Sequence, residues 1–270
     1  MAGESTGDFS KGKIWKHIVA LAVPMTVAQL VQVVYNIVDR IYIGHLPGAS
    51  SLALTGLGLT FPVITLISAF TNLFGMGGAP LCSIARGRQD EERAEKIMGN
   101  CFALLLILAA ILTTVFYLFA PQLLQAFGAS EVTLPYAVEY ARIYILGSVF
   151  VLVVLGMNPF ITTQGFAKIS MLTTVIGAVI NILLDPVFIF VFDMQVRGAA
   201  LATVISQAVG AMWILKFLSG KKTILQLKKK NMLLEKTVIL PCLALGISNF
   251  TMLSTESILS ISFTTSLARY

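Results

Sequence analysis

Charge is scarce in this sequence. Asp, Glu, Lys and Arg make up only 12% of its 270 residues, about half the share found in a soluble globular domain. Histidine is scarcer still. His17 lies in an interfacial first turn beside Trp15 and Lys16, His45 lies in an outer connection, and there are no others, so no metal-spaced histidine set exists. No Ser/His/Asp arrangement and no Lys-Ser/Thr phosphate loop is present. The glycine-rich stretch Phe74-Gly75-Met76-Gly77-Gly78 reads as a surface for close helix packing. Three scattered cysteines, Cys82, Cys101 and Cys242, carry neither a disulfide framework nor a metal cluster. The polar N-terminus MAGESTGDFSKGK lacks the apolar core and small-residue cleavage site of a secretory signal. These absences argue against a nucleotide-driven pump, a metalloenzyme and a hydrolase. No cofactor is expected, and a membrane-embedded enzyme is the weakest reading.

What is present is apolar length. Hydrophobic residues make up 57% of the chain and the mean hydropathy is +0.86. A bilayer-crossing helix needs about 20 apolar residues. Seven runs qualify, near 14–38, 52–79, 97–119, 136–158, 169–192, 197–218 and 237–261. The fold class is therefore an all-α polytopic membrane protein, a six-helix transmembrane bundle plus a seventh helix. Residues 1–13 read as a cytoplasmic tail, 14–218 as a first six-helix lobe, 219–236 as a basic cytoplasmic linker, and 237–270 as the truncated start of a second lobe. One helix set against six is an odd design, and transporters commonly repeat a bundle. The chain is expected to be a fragment or truncated form of half of a two-lobe transporter, with the second lobe missing.

The formal charge of +6 is explained by topology. With the N-terminus inside, the inner segments hold 15 of the 19 basic residues, from Lys11 through Arg86–Lys96 to Lys216–Lys236. The positive-inside rule then orients the chain. The basic cluster at 221–230 lies between two spans, where topology already accounts for it, so nucleic acid is not an expected partner. The lipid bilayer is. The outer connections, Ile43–Ser51 and Pro121–Pro135, are short and poor in charge, and the inner loop Arg86–Lys96 is rich in both signs.

Polar residues inside the apolar runs fall in a pattern. In the first run Gln29, Gln32, Tyr35, Asn36 and Asp39 step by three or four and share one helical face. An ionisable group at the bilayer centre costs at least about 2.5–3.5 kcal/mol, so such a group marks a polar route. Asp185 lies toward the outer end of the fifth run, with Asn181 one turn before it on the same face. Thr203 sits about two turns into the sixth run, near Ser206 and Gln207. Tyr136, Tyr140 and Tyr144 line one face of the fourth. Four helices thus place polar groups at similar depth, which predicts one chamber in the outer half. Two carboxylates there would share a proton if they approached each other. Their oxygens, with amide and hydroxyl oxygens, also suit a hard cation such as Na⁺, so Asp39, Asn181, Asp185 and Thr203 form a candidate Na⁺ site. Pro24, mid-way along the first run, reads as a bend in the helix that carries Asp39. Glu256 in the seventh run is a third intramembrane carboxylate.

At these residues the chain resembles the multidrug and toxic compound extrusion family. The resemblance is carried by LAVPMTVAQLVQVVYNIVDRIYIGHL, FGMGGAPLCSIARGRQD, INILLDPVFIF, GAALATVISQ and LGISNFTMLSTES, in order, over about residues 12–265. It implies two six-helix lobes, alternating access, and export of cationic or amphipathic compounds across the plasma or inner membrane, driven by H⁺ or Na⁺. It further implies a cation-coupling site at Tyr35, Asp39, Asn181, Asp185 and Thr203, with Gln32, Tyr140 and Asn158 in the surrounding network. Pro24 takes the place of the family's helix-bending proline, and Glu256 that of a second-lobe acid. The chain departs from the family at Thr163-Gln164-Gly165, where an Arg is common. A flippase of lipid-linked oligosaccharide or peptidoglycan precursors, from a related fold, is the alternative, although its anionic cargo would favour basic residues in the chamber. A truncated membrane protein that does not transport is the other.

Overall fold

A computed structural model describes residues 13–46 and 50–267. Seven long helices follow one another: α1 Ile14–Gly44, α2 Ser50–Gly87, α3 Glu91–Ala126, α4 Leu134–Thr163, α5 Ala167–Pro186, α6 Gln195–Leu218 and α7 Lys236–Leu267. All seven are long and apolar enough to cross a membrane, as the hydropathy predicts. No strand occurs among the described residues.

The helices outrun the apolar segments that announce them. α2 has 38 residues and α3 has 36. At 1.5 Å per residue α3 is about 54 Å long, against a hydrocarbon core of about 30 Å. Much of the sequence read as loop is therefore helix. The loop expected at Arg86–Lys96 shrinks to a turn between Gly87 and Glu91, in which Gln89 adopts φ 61° and the Asp90 carboxylate accepts the Arg93 N–H at 3.0 Å to cap α3. The outer connection Pro121–Pro135 shrinks to residues 127–133, because α3 runs through Pro121 to Ala126. Hydropathy ends where polar residues begin, but Glu, Arg, Lys, Gln and Ala are good helix formers and continue the backbone into the aqueous layers. α5 stops at Pro186 and widens into a π-turn, Val187–Val191, which carries the span to within one residue of the predicted end at 192.

α4 is the hub, packing on α2, α3, α5 and α6. Glycines set the tightest crossings. A Cβ on Gly75 of α2 would lie 2.9 Å from the Gly156 Cα and carbonyl oxygen of α4. Two residues on, Gly77 faces α7, where an added Cβ would meet the Cys242 carbonyl and the Gly246 nitrogen. The predicted small-residue surface therefore serves two neighbours at once, and α2 packs more extensively on α7 than on any other helix. The three cysteines are buried, and the Cys101 and Cys242 sulfurs face each other at 3.8 Å across α3 and α7. α1 is peripheral. It leans mainly on α5 and touches α2 and α6 only lightly, which leaves room behind it.

Candidate functional site

That room is a cavity of about 1110 Å³ walled by α1, α2, α4, α5 and α6. The polar stripe of α1 faces it: Gln29, Gln32, Tyr35, Asn36 and Asp39 all line it. Asp39 is 8% exposed, and its Oδ1 is buried with no hydrogen-bond partner. A carboxylate oxygen left unpaired away from water is costly.

On α5 and α6, Asn181, Asp185 and Thr203 are all buried; Thr203 lines the cavity, whereas Asn181 and Asp185 lie behind its wall. Asn181 ties the other two together in either orientation of its amide. In one it donates to Asp185 Oδ1 at 3.4 Å and to Thr203 Oγ1 at 3.3 Å. In the other it donates to Asp185 Oδ2 at 3.0 Å and accepts the Thr203 backbone N–H at 3.3 Å. The second orientation has the shorter bond to the carboxylate and fits donor to acceptor throughout. Ser206 donates to the Thr203 carbonyl at 2.8 Å and fixes that turn of α6. Tyr140 and Tyr144, stacked with ring centres 6.2 Å apart, complete the wall from α4. α1, α4, α5 and α6 all bring polar side chains to this region, with carboxylate, amide and hydroxyl oxygens of the kind that suit a hard cation.

Some expected members lie elsewhere. Asn158 is five turns along α4 from Tyr140, about 27 Å away, at the far end of the same cavity. Its amide donates to the Ser170 carbonyl at 3.3 Å, while its Oδ1 is buried without a partner. Glu256 is exposed on α7 and is not among the cavity-lining residues. Tyr136 does not line the cavity either. It packs against α2, where a Cβ on Gly56 would lie 3.0 Å from the Tyr136 Cβ. Pro24 is buried within α1. The hydroxyl lining of Ser170, Thr173 and Thr174 was not expected from the sequence. The signal was there: Ser170, Thr174, Gly177, Asn181 and Asp185 step by three or four along α5.

The 163–165 turn, which lacks an arginine of its own, is met by one from another helix. Arg86 reaches over from α2 and donates to the Thr163 carbonyl at 2.6 Å. A guanidinium therefore caps α4 from a different helix, where the helix dipole favours a cation.

The MatE family model matches residues 24–187, the stretch that carries Pro24, Asp39, Asn181 and Asp185. The chain belongs to the MatE family. It is 30% identical over 252 residues to the multidrug export protein MepA of Staphylococcus haemolyticus, covering 93% of this chain and 55% of that protein. MepA of Staphylococcus aureus strain MSSA476 is 27% identical over 252 residues, with the same coverage of each chain. A solved multidrug resistance MATE family transporter in an outward-facing conformation superposes with a TM-score of 0.85 at 29% identity, over 92% of this chain and 54% of that one. The chain spans about half the length of the curated relatives it matches. It is a multi-pass membrane protein with the fold of MATE transporters.

Proposed function

We propose that this chain is the first lobe, with the first helix of the second, of a cation-coupled antiporter that exports cationic or amphipathic organic compounds. The observation that carries the reading is the cluster of Asp39, Asn181, Asp185 and Thr203 beside a cavity of about 1110 Å³. The same cavity offers apolar wall from Leu21, Met25, Phe61 and Met76, so an amphipathic guest finds apolar surface beside an anionic end. The MepA relatives, called multidrug export proteins, support this substrate class.

The coupling mechanism is linkage between two ligands. H⁺ or Na⁺ bound between Asp39 and Asp185 neutralises the acidic end of the cavity. A cationic guest does the same by its own charge. Each therefore weakens the other's binding by the same factor, and alternating access turns that competition into exchange. Tyr35 and Gln32 extend the polar face of α1 beside the site, and Pro24 supplies the bend that would move Asp39 relative to α5. Asn158 serves the far end of the cavity, and Glu256 would belong to the second lobe. The N-terminus and the lysine-rich segments face the cytoplasm, and the membrane is the plasma or inner membrane.

The test is efflux of a cationic dye from vesicles with ΔpH and a Na⁺ gradient imposed separately, using the chain in its full-length form. Export is expected under one gradient or both, and to be lost in Asp39→Asn and Asp185→Asn. Normal efflux in both variants would sink the assignment.

A further inference from the structure

The polar segment between α6 and α7 looks like a tether in the sequence, yet three buried side chains of the bundle hold it. Gln164, just past the end of α4, is buried. Its Oε1 accepts the Thr223 hydroxyl at 2.7 Å, the Ile224 N–H at 3.0 Å and the Leu225 N–H at 2.8 Å, while its amide donates to the Phe160 carbonyl at 3.0 Å. Glu95 of α3 accepts the Gln226 N–H at 3.1 Å, the Lys228 ammonium at 2.8 and 2.9 Å, and the Asn231 amide at 3.3 Å. Asn100, also on α3, donates to the Asn231 carbonyl at 3.1 Å and accepts the Glu235 N–H at 2.8 Å. A Cβ on Gly99 would collide with the Asn231 backbone, so the segment presses directly on α3.

The attachment continues into α7. Val238 and Cys242 are buried, and at Gly246 the α7 backbone lies on the Leu73 carbonyl of α2 with no room for a Cβ. Beyond Gly246 the contact changes character. It rests mainly on side chains, the Phe70 and Phe250 rings with centres 5.0 Å apart and the Ser257 hydroxyl on the Pro62 carbonyl at 3.1 Å, with one backbone approach at ordinary van der Waals distance, where a Cβ on Gly128 would lie 3.6 Å from the Thr265 Cα, while Met252, Ile258, Leu259 and Phe263 are exposed.

We infer that residues 223–246 are mechanically continuous with the first lobe, so that the joint between the lobes lies within α7 beyond Gly246 and not in the linker. Gln164, Glu95 and Asn100 are its positioning residues. A backbone seated glycine to carbonyl, together with amides whose acceptors are buried, separates only as a unit. Side-chain contacts on an otherwise exposed helix face can be broken singly. The inference uses the two-lobe proposal to name the joint, but the attachment itself is measurable without transport.

Hydrogen exchange of the chain in lipid nanodiscs tests the attachment. The amides of Ile224, Leu225, Gln226 and Glu235 are expected to exchange as slowly as those at the inner end of α3. Gln164→Leu is expected to speed exchange at 224 and 225 by about tenfold or more, whereas Gln164→Glu, which keeps an acceptor oxygen, leaves them slow. Loop-like exchange at these amides in the unsubstituted chain overturns the inference whatever the variants do. The joint is tested by efflux from the full-length protein. Bridging the Phe70→Cys, Phe250→Cys double variant with a bifunctional methanethiosulfonate is expected to stop export. Oxidising Cys101 and Cys242 to a disulfide with copper phenanthroline is expected to leave it running. Arrest by both bonds, or by neither, overturns the placement of the joint. Absence of export before any bond is made counts against the transport reading, and the exchange result still decides the attachment.

Discussion

Two glycines, Gly58 and Gly246, sit in helices and look alike in the sequence, but the structure gives them opposite responses to the same substitution. In a helix interior Ala is favoured over Gly by about 1 kcal/mol. At Gly58 an added Cβ meets nothing within 4 Å, so Gly58→Ala is expected to keep that gain. At Gly246 the new Cβ would overlap the Leu73 carbonyl oxygen and lie 2.7 Å from the Leu73 carbon and 2.9 Å from its Cα. These are backbone atoms that cannot swing aside, so α7 must lift from α2. Overpacking of this kind costs about 1–3 kcal/mol and sometimes more, which exceeds the propensity gain. The propensity gain is common to both, so the two variants should differ by the overpacking cost, about 1–3 kcal/mol. With a shift of about 2–4 °C per kcal/mol for a chain of this size, thermal unfolding in detergent should place Gly246→Ala about 2–12 °C below Gly58→Ala. The Gly246 variant should also form the Cys101–Cys242 disulfide less readily, because the sulfurs now 3.8 Å apart separate when α7 lifts. Equal melting temperatures with undiminished disulfide formation would refute the reasoning, since they would mean that α7 does not lie on α2 at Gly246.

Two further outcomes rest on other regions of the molecule. Asp39 Oδ1 is buried without a partner, so Asp39→Asn is expected to hold or raise the melting temperature by up to a few degrees while abolishing coupled export, the trade between stability and activity common at functional sites; a large loss of stability would show that Asp39 is structural. Arg86→Met keeps the side-chain stem but leaves the Thr163 carbonyl without the guanidinium that reaches it at 2.6 Å. A loss of about 1–2 kcal/mol is expected, read as a fall in melting temperature that Arg86→Lys partly restores.

The local features of the chain were legible because they repeat along one helix. Hydropathy located all seven spans, since burying apolar side chains in lipid needs only length and composition. Helical periodicity put Gln32, Tyr35 and Asp39 on one face of α1, and Asn181 beside Asp185 on α5, because residues three or four apart are neighbours on any helix. The spaced motifs carried the family resemblance for the same reason, being short and local.

Relations between helices came only with the tertiary structure. Asn158 reads as a member of the network around Asp39, yet it occupies the far end of the cavity, because a helix rises 1.5 Å per residue and α4 spans the whole depth of the lobe. Glu256 reads as a matching intramembrane acid, yet α7 turns it away from this cavity by packing its other face on α2. Periodicity says which residues share a face but not which neighbour that face meets. Gln164 reads as a departure from a pattern and is the acceptor for three donors some 60 residues away, while the Thr163 carbonyl beside it is met by Arg86 from another helix. By itself the sequence determined a membrane-spanning helical chain with a polar stripe in its first helix, because length, composition and period are local. The tertiary structure decided that this stripe faces a cavity shared with Thr203, that the linker is bound down, and that two glycines let α7 rest on α2, because each depends on where distant backbones cross.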